Sequence, residues 1–225
     1  MTLILHGNKN FDKKYFHRFF NRYDRSELNK YSNWFWGWFN FIDRFVPLKD
    51  GQGKKVLEIG SSIGAYAKIL KEKGYDIVAS DVSSFIVEKA SRLQKKITFK
   101  VINVEKGITI SGPFDYIFCF DVVEHLKRPE SAFRNIIKKL KKGGIFIFST
   151  PFPSKEYLSD PTHINVHEAD WWIALGKKTG FTNLRFSYAT FIPFLYRINK
   201  NFSVGFPLKV NFRYLNSTCL FFFKK

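Results

Sequence analysis

The stretch KVLEIGSSIGAYAKIL, residues 55–70, decides the fold. Val56 to Ile59 is a short apolar run interrupted only by Glu58, the pattern of a strand buried on both faces. It runs into a turn holding Gly60 and Gly64, and a helical period follows Gly64. Strand, glycine turn and helix form a ligand-binding βα unit, because glycine lets the backbone approach a ligand and cross tightly into the helix. Two details narrow the ligand. The dinucleotide spacing G-x-G-x-x-G is not met, since the second and third positions after Gly60 are Ser62 and Ala65. Glu58 also places a carboxylate at the strand end, where a pyrophosphate meets like charge and an ammonium or sulfonium meets opposite charge. No G-x-x-x-x-G-K-[ST] phosphate loop occurs in the chain.

Outward from this unit, apolar runs alternate with helical periods. Strands are expected over 75–80, 97–102, 114–120, 145–149, 181–189 and 218–223. Helices are expected over 64–73, 83–95, 129–142 and 168–178. Ser83 reads as an N-cap and Pro129 as a first-turn proline, with Gly143-Gly144 closing that helix. Strand–helix repetition of this kind predicts an α/β fold with a largely parallel sheet covered on both faces. Ligands in such sheets bind at the carboxyl ends of the strands beside the switch point. Asp81 closes the second strand, where an acid accepts the ribose hydroxyl hydrogens of an adenosyl cofactor.

The 225 residues carry 37 Lys and Arg against 19 Asp and Glu, a net +18 that favours an anionic partner. After Asp170 there is no acidic residue, while nine Lys and Arg follow. Tyr31 to Phe45, YSNWFWGWFNFIDRF, reads as an amphipathic helix with Trp34, Trp38, Phe41 and Phe45 on one face and Asn33, Gly37, Asn40 and Arg44 opposite. That stripe suits either packing on the body of the domain or an interfacial surface over an apolar substrate. Two cysteines exclude a disulfide framework and fit a reducing cytosol. No apolar run is long enough to span a bilayer, and Met1 to Asn10 lacks a signal-peptide pattern. The expected location is cytoplasmic, with peripheral contact at an anionic membrane.

VLEIGSSIGAYAKIL, ASDVS, FDYIFCFDVVEHL and LKKGGIFIFSTP resemble, in order, the motifs of class I S-adenosylmethionine-dependent methyltransferases, and Val123 to Leu126 resembles the branch of ubiquinone and glycan-modifying enzymes. The resemblance covers about residues 54–189. It implies a Rossmann-like seven-stranded methyltransferase sheet whose last strand is antiparallel, supplied by 218–223. An N-terminal aromatic helical extension (1–53) would precede the methyltransferase domain (54–225), with 190–216 inserted before the last strand. The resemblance also implies S-adenosylmethionine as cofactor. Glu58, Gly60, Ser62 and Gly64 would line its methionine end, Asp81 would hold the ribose, and Val82 would lie against the adenine. Asn103 stands where an Asp often binds the adenine amino group, and Phe120 and Asp121 would border the sulfonium. Ser62 replaces the usual middle glycine, adding a hydroxymethyl to a crowded turn.

A methyl acceptor with a hydroxyl needs alignment and a base. His163, in the loop after the fifth strand, is the first candidate and His125 the second, whereas His167 reads as a helix-start residue. Glu124 with His125 or His163 could bind a divalent metal, as in some related quinone O-methyltransferases, but no ligand spacing specifies one. The N-P-P-[YFW] motif of amino-methylating enzymes and the Pro-Cys dipeptide of cytosine-modifying ones are missing. A small-molecule, glycan or lipid-linked acceptor methylated at oxygen is the leading expectation. Trp171-Trp172 and the Phe-rich basic tail would suit an anionic amphiphile. The alternatives are an RNA methyltransferase using the basic surface, and a non-catalytic cofactor-binding protein of the same fold.

Overall fold

The computed structural model describes residues 11–212 and 215–225, and the side chains of 211–216 are left aside. The reading of Met1 to Asn10 therefore lies outside the described residues. The parallel strands are β1 (Lys55–Ile59), β2 (Asp76–Asp81), β3 (Thr98–Val101), β4 (Phe114–Phe120) and β5 (Leu140–Pro151). They are followed by β6 (Thr182–Phe191), the two-residue strands β7 (Gly205–Phe206) and β8 (Asn211–Phe212), and β9 (Leu215–Lys224). The sheet order is β3-β2-β1-β4-β5-β9-β6-β7, with β8 paired to β9. Seven strands thus make the main sheet; short β7 adds to its edge beside β6, and short β8 pairs with the start of β9. The last strand, β9, is antiparallel to both β5 and β6. Because β2 and β4 pair on opposite sides of β1, the chain reverses direction there and opens a crevice over the carboxyl ends of β1 and β4.

Among the described residues there are seven α-helices: α1 (Lys13–Phe16), α2 (Arg25–Asp43), α3 (Ala65–Glu72), α4 (Ser84–Leu93), α5 (Pro129–Lys139), α6 (Lys155–Leu158) and α7 (Ala169–Thr179). Strand alternation splits the core between the two faces. Phe118, Phe120 and Phe222 join the cluster under α2 and α3, while Ile117, Cys119, Phe221 and Phe223 join the one under α5 and α7. In the second layer Phe148 stacks on Phe221 at 4.6 Å, and Trp172 is wholly buried beside Phe133. Trp172 and Phe221 to Phe223 are therefore core, not an amphiphile-binding surface, whereas Trp171, Phe194, Phe202 and Phe206 stay exposed.

The same correction applies to the aromatic helix. Asp24 caps α2 by accepting from Glu27 N at 3.0 Å, and the apolar face then lies on the sheet. Trp38, Phe39, Phe41 and Ile42 are buried; Trp38 stacks on Phe191 at 4.8 Å and Phe45 on Phe222 at 4.9 Å. Gly37, expected on the polar side, is buried against Ser203, whose Oγ would lie 2.3 Å from an added Cβ. Packing claims the stripe because β9 and β6 present Phe222 and Phe191 to this helix, which shares the core of the sheet.

One boundary differs. Helix α5 stops at Lys139, and Leu140 already pairs with Phe114 in β5. Gly143, at φ +78°, sits inside an irregular start of β5, where Gly143 N donates to Lys225 O. The glycine pair marks a bulge in the strand instead of a helix end.

Candidate active site

Two glycines of the β1–α3 turn are required by geometry. Gly60 has φ +76°, and an added Cβ would meet Val122 Cγ2 at 2.2 Å. Gly64 has φ +80°, and its Cβ would meet Phe99 Cζ at 2.6 Å. Ser62 also takes a left-handed φ of +50°, a conformation usually left to glycine. Its side chain is half-exposed, so the turn is crowded at Gly60 and Gly64 and not at Ser62. The backbone N–H of Ser62 donates to Asp81 Oδ2 at 3.1 Å, and Ser83 N donates to Oδ1 at 3.0 Å. Asp81 thereby ties the glycine turn to the end of β2. Ser83 occupies the N-cap of α4, but its side chain makes no capping bond.

Glu58 is buried at the end of β1, and its Oε2 has no hydrogen-bond partner. Burial pushes its carboxyl up to about 8; the Asp81 charge adds to this and a bond from the Ala67 backbone opposes it. Burial likewise raises Asp81 to about 6 against the pull of the Ser83, Ser62 and Val82 backbone. An orphaned buried carboxylate beside a glycine turn is what a ligand carrying an ammonium completes. These residues fit the methionine end and ribose of S-adenosylmethionine. We expect Asp81→Ala to weaken S-adenosylmethionine binding by at least about 1.5 kcal/mol, the scale of a hydrogen bond to a charged group. Calorimetric titration measures this, and equal affinities with an intact circular dichroism spectrum would take Asp81 out of the ribose role.

Further along the crevice, Val82 is half-buried after β2. Asn103 Oδ1 accepts from Glu105 N at 3.0 Å in an Asx turn. The Asn103 amide oxygen keeps a second lone pair, so it can still accept a bond, and its NH2 can donate one. Phe120 is buried, and its ring stacks on Phe35 at 6.2 Å. Asp121, with φ +51°, is exposed and its Oδ1 accepts from Ser149 Oγ at 2.8 Å.

The fold brings together two histidines that lie 38 positions apart in sequence. Their ring centroids are 4.8 Å apart. His125 Nδ1 is 2.8 Å from Thr162 O, and His163 Nδ1 is 2.9 Å from Tyr157 O. A carbonyl only accepts, so both Nδ1 atoms carry hydrogen in neutral rings and both Nε2 lone pairs remain basic. Burial holds His125 below the usual histidine range. Glu124 beside them is buried, its Oε2 lacks a partner, and burial followed by the Asp121 charge raises its carboxyl. The ligand atoms of Glu124, His125 and His163 lie within 4.8 Å of one another, so among the described residues these three could hold a divalent cation. The sequence raised Glu124 with either histidine, and the fold brings both histidines to it. His167 stacks on Trp171 at 3.9 Å just before α7 and takes no part in this cluster.

Tyr15 was not anticipated from sequence. Its hydroxyl is raised to about 12 by burial and then by the charges of Glu124, Asp160, Asp81 and Asp121, and its ring packs edge-on against Phe11 at 4.8 Å. Phe11 packs on His125 at 5.4 Å. A cavity of about 260 Å3 opens there between Phe11, Asn103, Lys106, His125, Lys127 and Thr162. A larger one, about 600 Å3, lies between α5 and α7 around Arg134, Trp171 and Lys178 and touches neither the glycine turn nor the histidines.

A switch-point glycine turn, acids ending β1 and β2, and an antiparallel strand between β5 and β6 define a class I S-adenosylmethionine-dependent methyltransferase. The chain belongs to the Methyltransferase domain family, which it matches over residues 33–185, a span that begins inside α2. It is similar to the ubiquinone biosynthesis O-methyltransferase of Coxiella burnetii, 26% identical over 148 residues, which are 56% of this chain and 62% of that one. The chain thus spans under two thirds of the length of that relative. A SAM dependent methyltransferase from Archaeoglobus fulgidus has the same fold, with TM-score 0.62 and 19% identity over 89% of this chain and 94% of that one. So does a Haemonchus contortus phosphoethanolamine N-methyltransferase in complex with S-adenosyl-L-methionine, with TM-score 0.62 and 18% identity over 94% of this chain and 59% of that one.

Proposed function

We propose that this protein transfers a methyl group from S-adenosylmethionine to a hydroxyl of a small-molecule, glycan or lipid-linked acceptor. The observation that carries this reading is the His125–His163 pair, whose Nδ1 atoms are tied to carbonyls so that a basic Nε2 remains on each ring. The cofactor supplies an electrophilic methyl on a sulfonium with a good leaving group. Glu58 and Asp81 anchor its two ends, and Gly60 lets the backbone come close enough to aim it. One histidine Nε2 takes the hydroxyl proton as the acceptor oxygen attacks the methyl carbon in line and the sulfur–methyl bond breaks. Phe120 and Phe35 wall the site with apolar surface, which excludes water as a competing acceptor.

The similarity to ubiquinone biosynthesis O-methyltransferases makes phenols and catechols the first acceptors to try. Incubation with methyl-labelled cofactor and a panel of catechols, glycans, lipid-linked sugars and RNA tests the proposal. Label in a hydroxyl of one of the first three supports it. Label only in RNA makes the basic surface the substrate site. Cofactor binding without label in any acceptor indicates a non-catalytic protein of this fold.

A further inference from the structure

We propose that residues 194–208 form a docking surface for an anionic lipid bilayer, a property independent of the methyl-transfer reading. Among the described residues, eleven large hydrophobic side chains are exposed, and seven of them fall in this stretch. Ile198 is 76% exposed, Leu208 59%, Phe194 54% and Phe202 50%. Outside this stretch Phe19 is the one exposed phenylalanine among the described residues, so such concentration marks a contact surface.

These side chains are held outward by an anchored backbone. Ser203 Oγ donates to Trp34 O at 2.7 Å, and the Tyr196 ring packs on Trp34 at 5.1 Å. Gly205 pairs with Phe191 at the edge of the sheet, too close for any Cβ. Thr190 Oγ1 donates to Leu208 O at 2.7 Å. The stretch is thus pinned to α2 and β6 through its backbone and small residues, while its large apolar groups face solvent.

Charge selects the occupant. Arg197, Lys200 and Lys209 lie among the apolar groups, and no acidic residue follows Asp170. A second copy of this chain, net +18, would bring like charge against like. Aliphatic side chains such as Ile198 and Leu208 offer no plane on which bases stack, which disfavours single-stranded nucleic acid. An anionic bilayer satisfies both features, because its hydrocarbon takes the apolar groups while its headgroups meet the cations. The membrane contact therefore belongs to this segment and not to the Trp34–Phe45 stripe, which the core has claimed.

Flotation of the full chain with vesicles of equimolar phosphatidylglycerol and phosphatidylcholine tests this. The protein should float with them at low salt, detach at high salt, and stay in solution with pure phosphatidylcholine. Ile198→Glu with Phe202→Glu should lower the bound fraction by about tenfold or more, since two charges then enter the headgroup region. A second readout does not depend on that variant folding. Cys119 and Cys219 are buried, so an environment-sensitive dye can be attached selectively to Ile198→Cys. Its emission should shift to the blue on the anionic vesicles. Absence of flotation at low salt, equal binding to neutral vesicles, or binding without a dye shift each overturns the proposal. So does a parent dimer that the double Glu variant makes monomeric, because a second copy would then be the occupant.

Discussion

His163→Ala should lower turnover by about 10²- to 10⁴-fold, the range for loss of a positioned general base, while S-adenosylmethionine affinity stays unchanged. The ring belongs to a loop tied to the site by Ile164 N and Asn165 N, both donating to Glu124 O at 2.9 Å, and by Thr162 O, which accepts from His125 Nδ1 at 2.8 Å. Because the two imidazoles touch, His125→Ala should cost a similar amount, and the double variant should be far less impaired than the product of the singles. The pH profile carries a sign. Burial lowers the His125 pKa, so its Nε2 stays unprotonated through the neutral range, and turnover should decline on the acid side only below the ordinary histidine range. Single-turnover rates on the first active acceptor provide the measurement. Rates within about threefold of the parent for both single variants would show that neither ring takes the proton.

S-adenosylmethionine affinity should fall by roughly one to two orders of magnitude between pH 8 and pH 6, and Glu58→Gln should remove most of that slope. Without cofactor, burial keeps the Glu58 carboxyl up at about 8. The ammonium of the cofactor pairs with the ionised form, so binding below pH 8 must first expel a proton, and each further unit costs up to about tenfold. The same shift acts on folding. A carboxyl whose folded pKa is raised holds its proton in the native state after the unfolded chain has lost it. In cofactor-free protein these two carboxyls therefore contribute stability that is fully present below about pH 4 and is lost as pH rises, through about 6 for Asp81 and about 8 for Glu58. Isothermal titration at a series of pH values, with Glu58→Gln alongside, reads the binding slope; a parent affinity flat across this range would refute the role given to Glu58.

Most cofactor-facing residues were legible because their signals are local. A buried strand shows as a continuous apolar run, a left-handed turn as glycine, and a strand-end acid by its place one residue before a loop. Glu58, Gly60, Gly64 and Asp81 all stand where that reading puts them. Local signals misled where two structures share one pattern. Gly143-Gly144 suits a helix end and a strand bulge alike, and only the pairing of Leu140 with Phe114 separates them.

The sequence by itself determined the βα succession, the glycine turn and the acids that close β1 and β2, because each depends on residues a few positions apart. Tertiary structure alone decided the insertion of β9 between β5 and β6, the meeting of His125 with His163, and the packing of Phe11 on His125. It also decided which aromatic surface stays free. An amphipathic stripe states that one face must be covered but not by what. The sheet covers Trp38 and Phe41, whereas Ile198 and Phe202 are left to solvent, since contacts between distant segments follow from chain topology and not from periodicity.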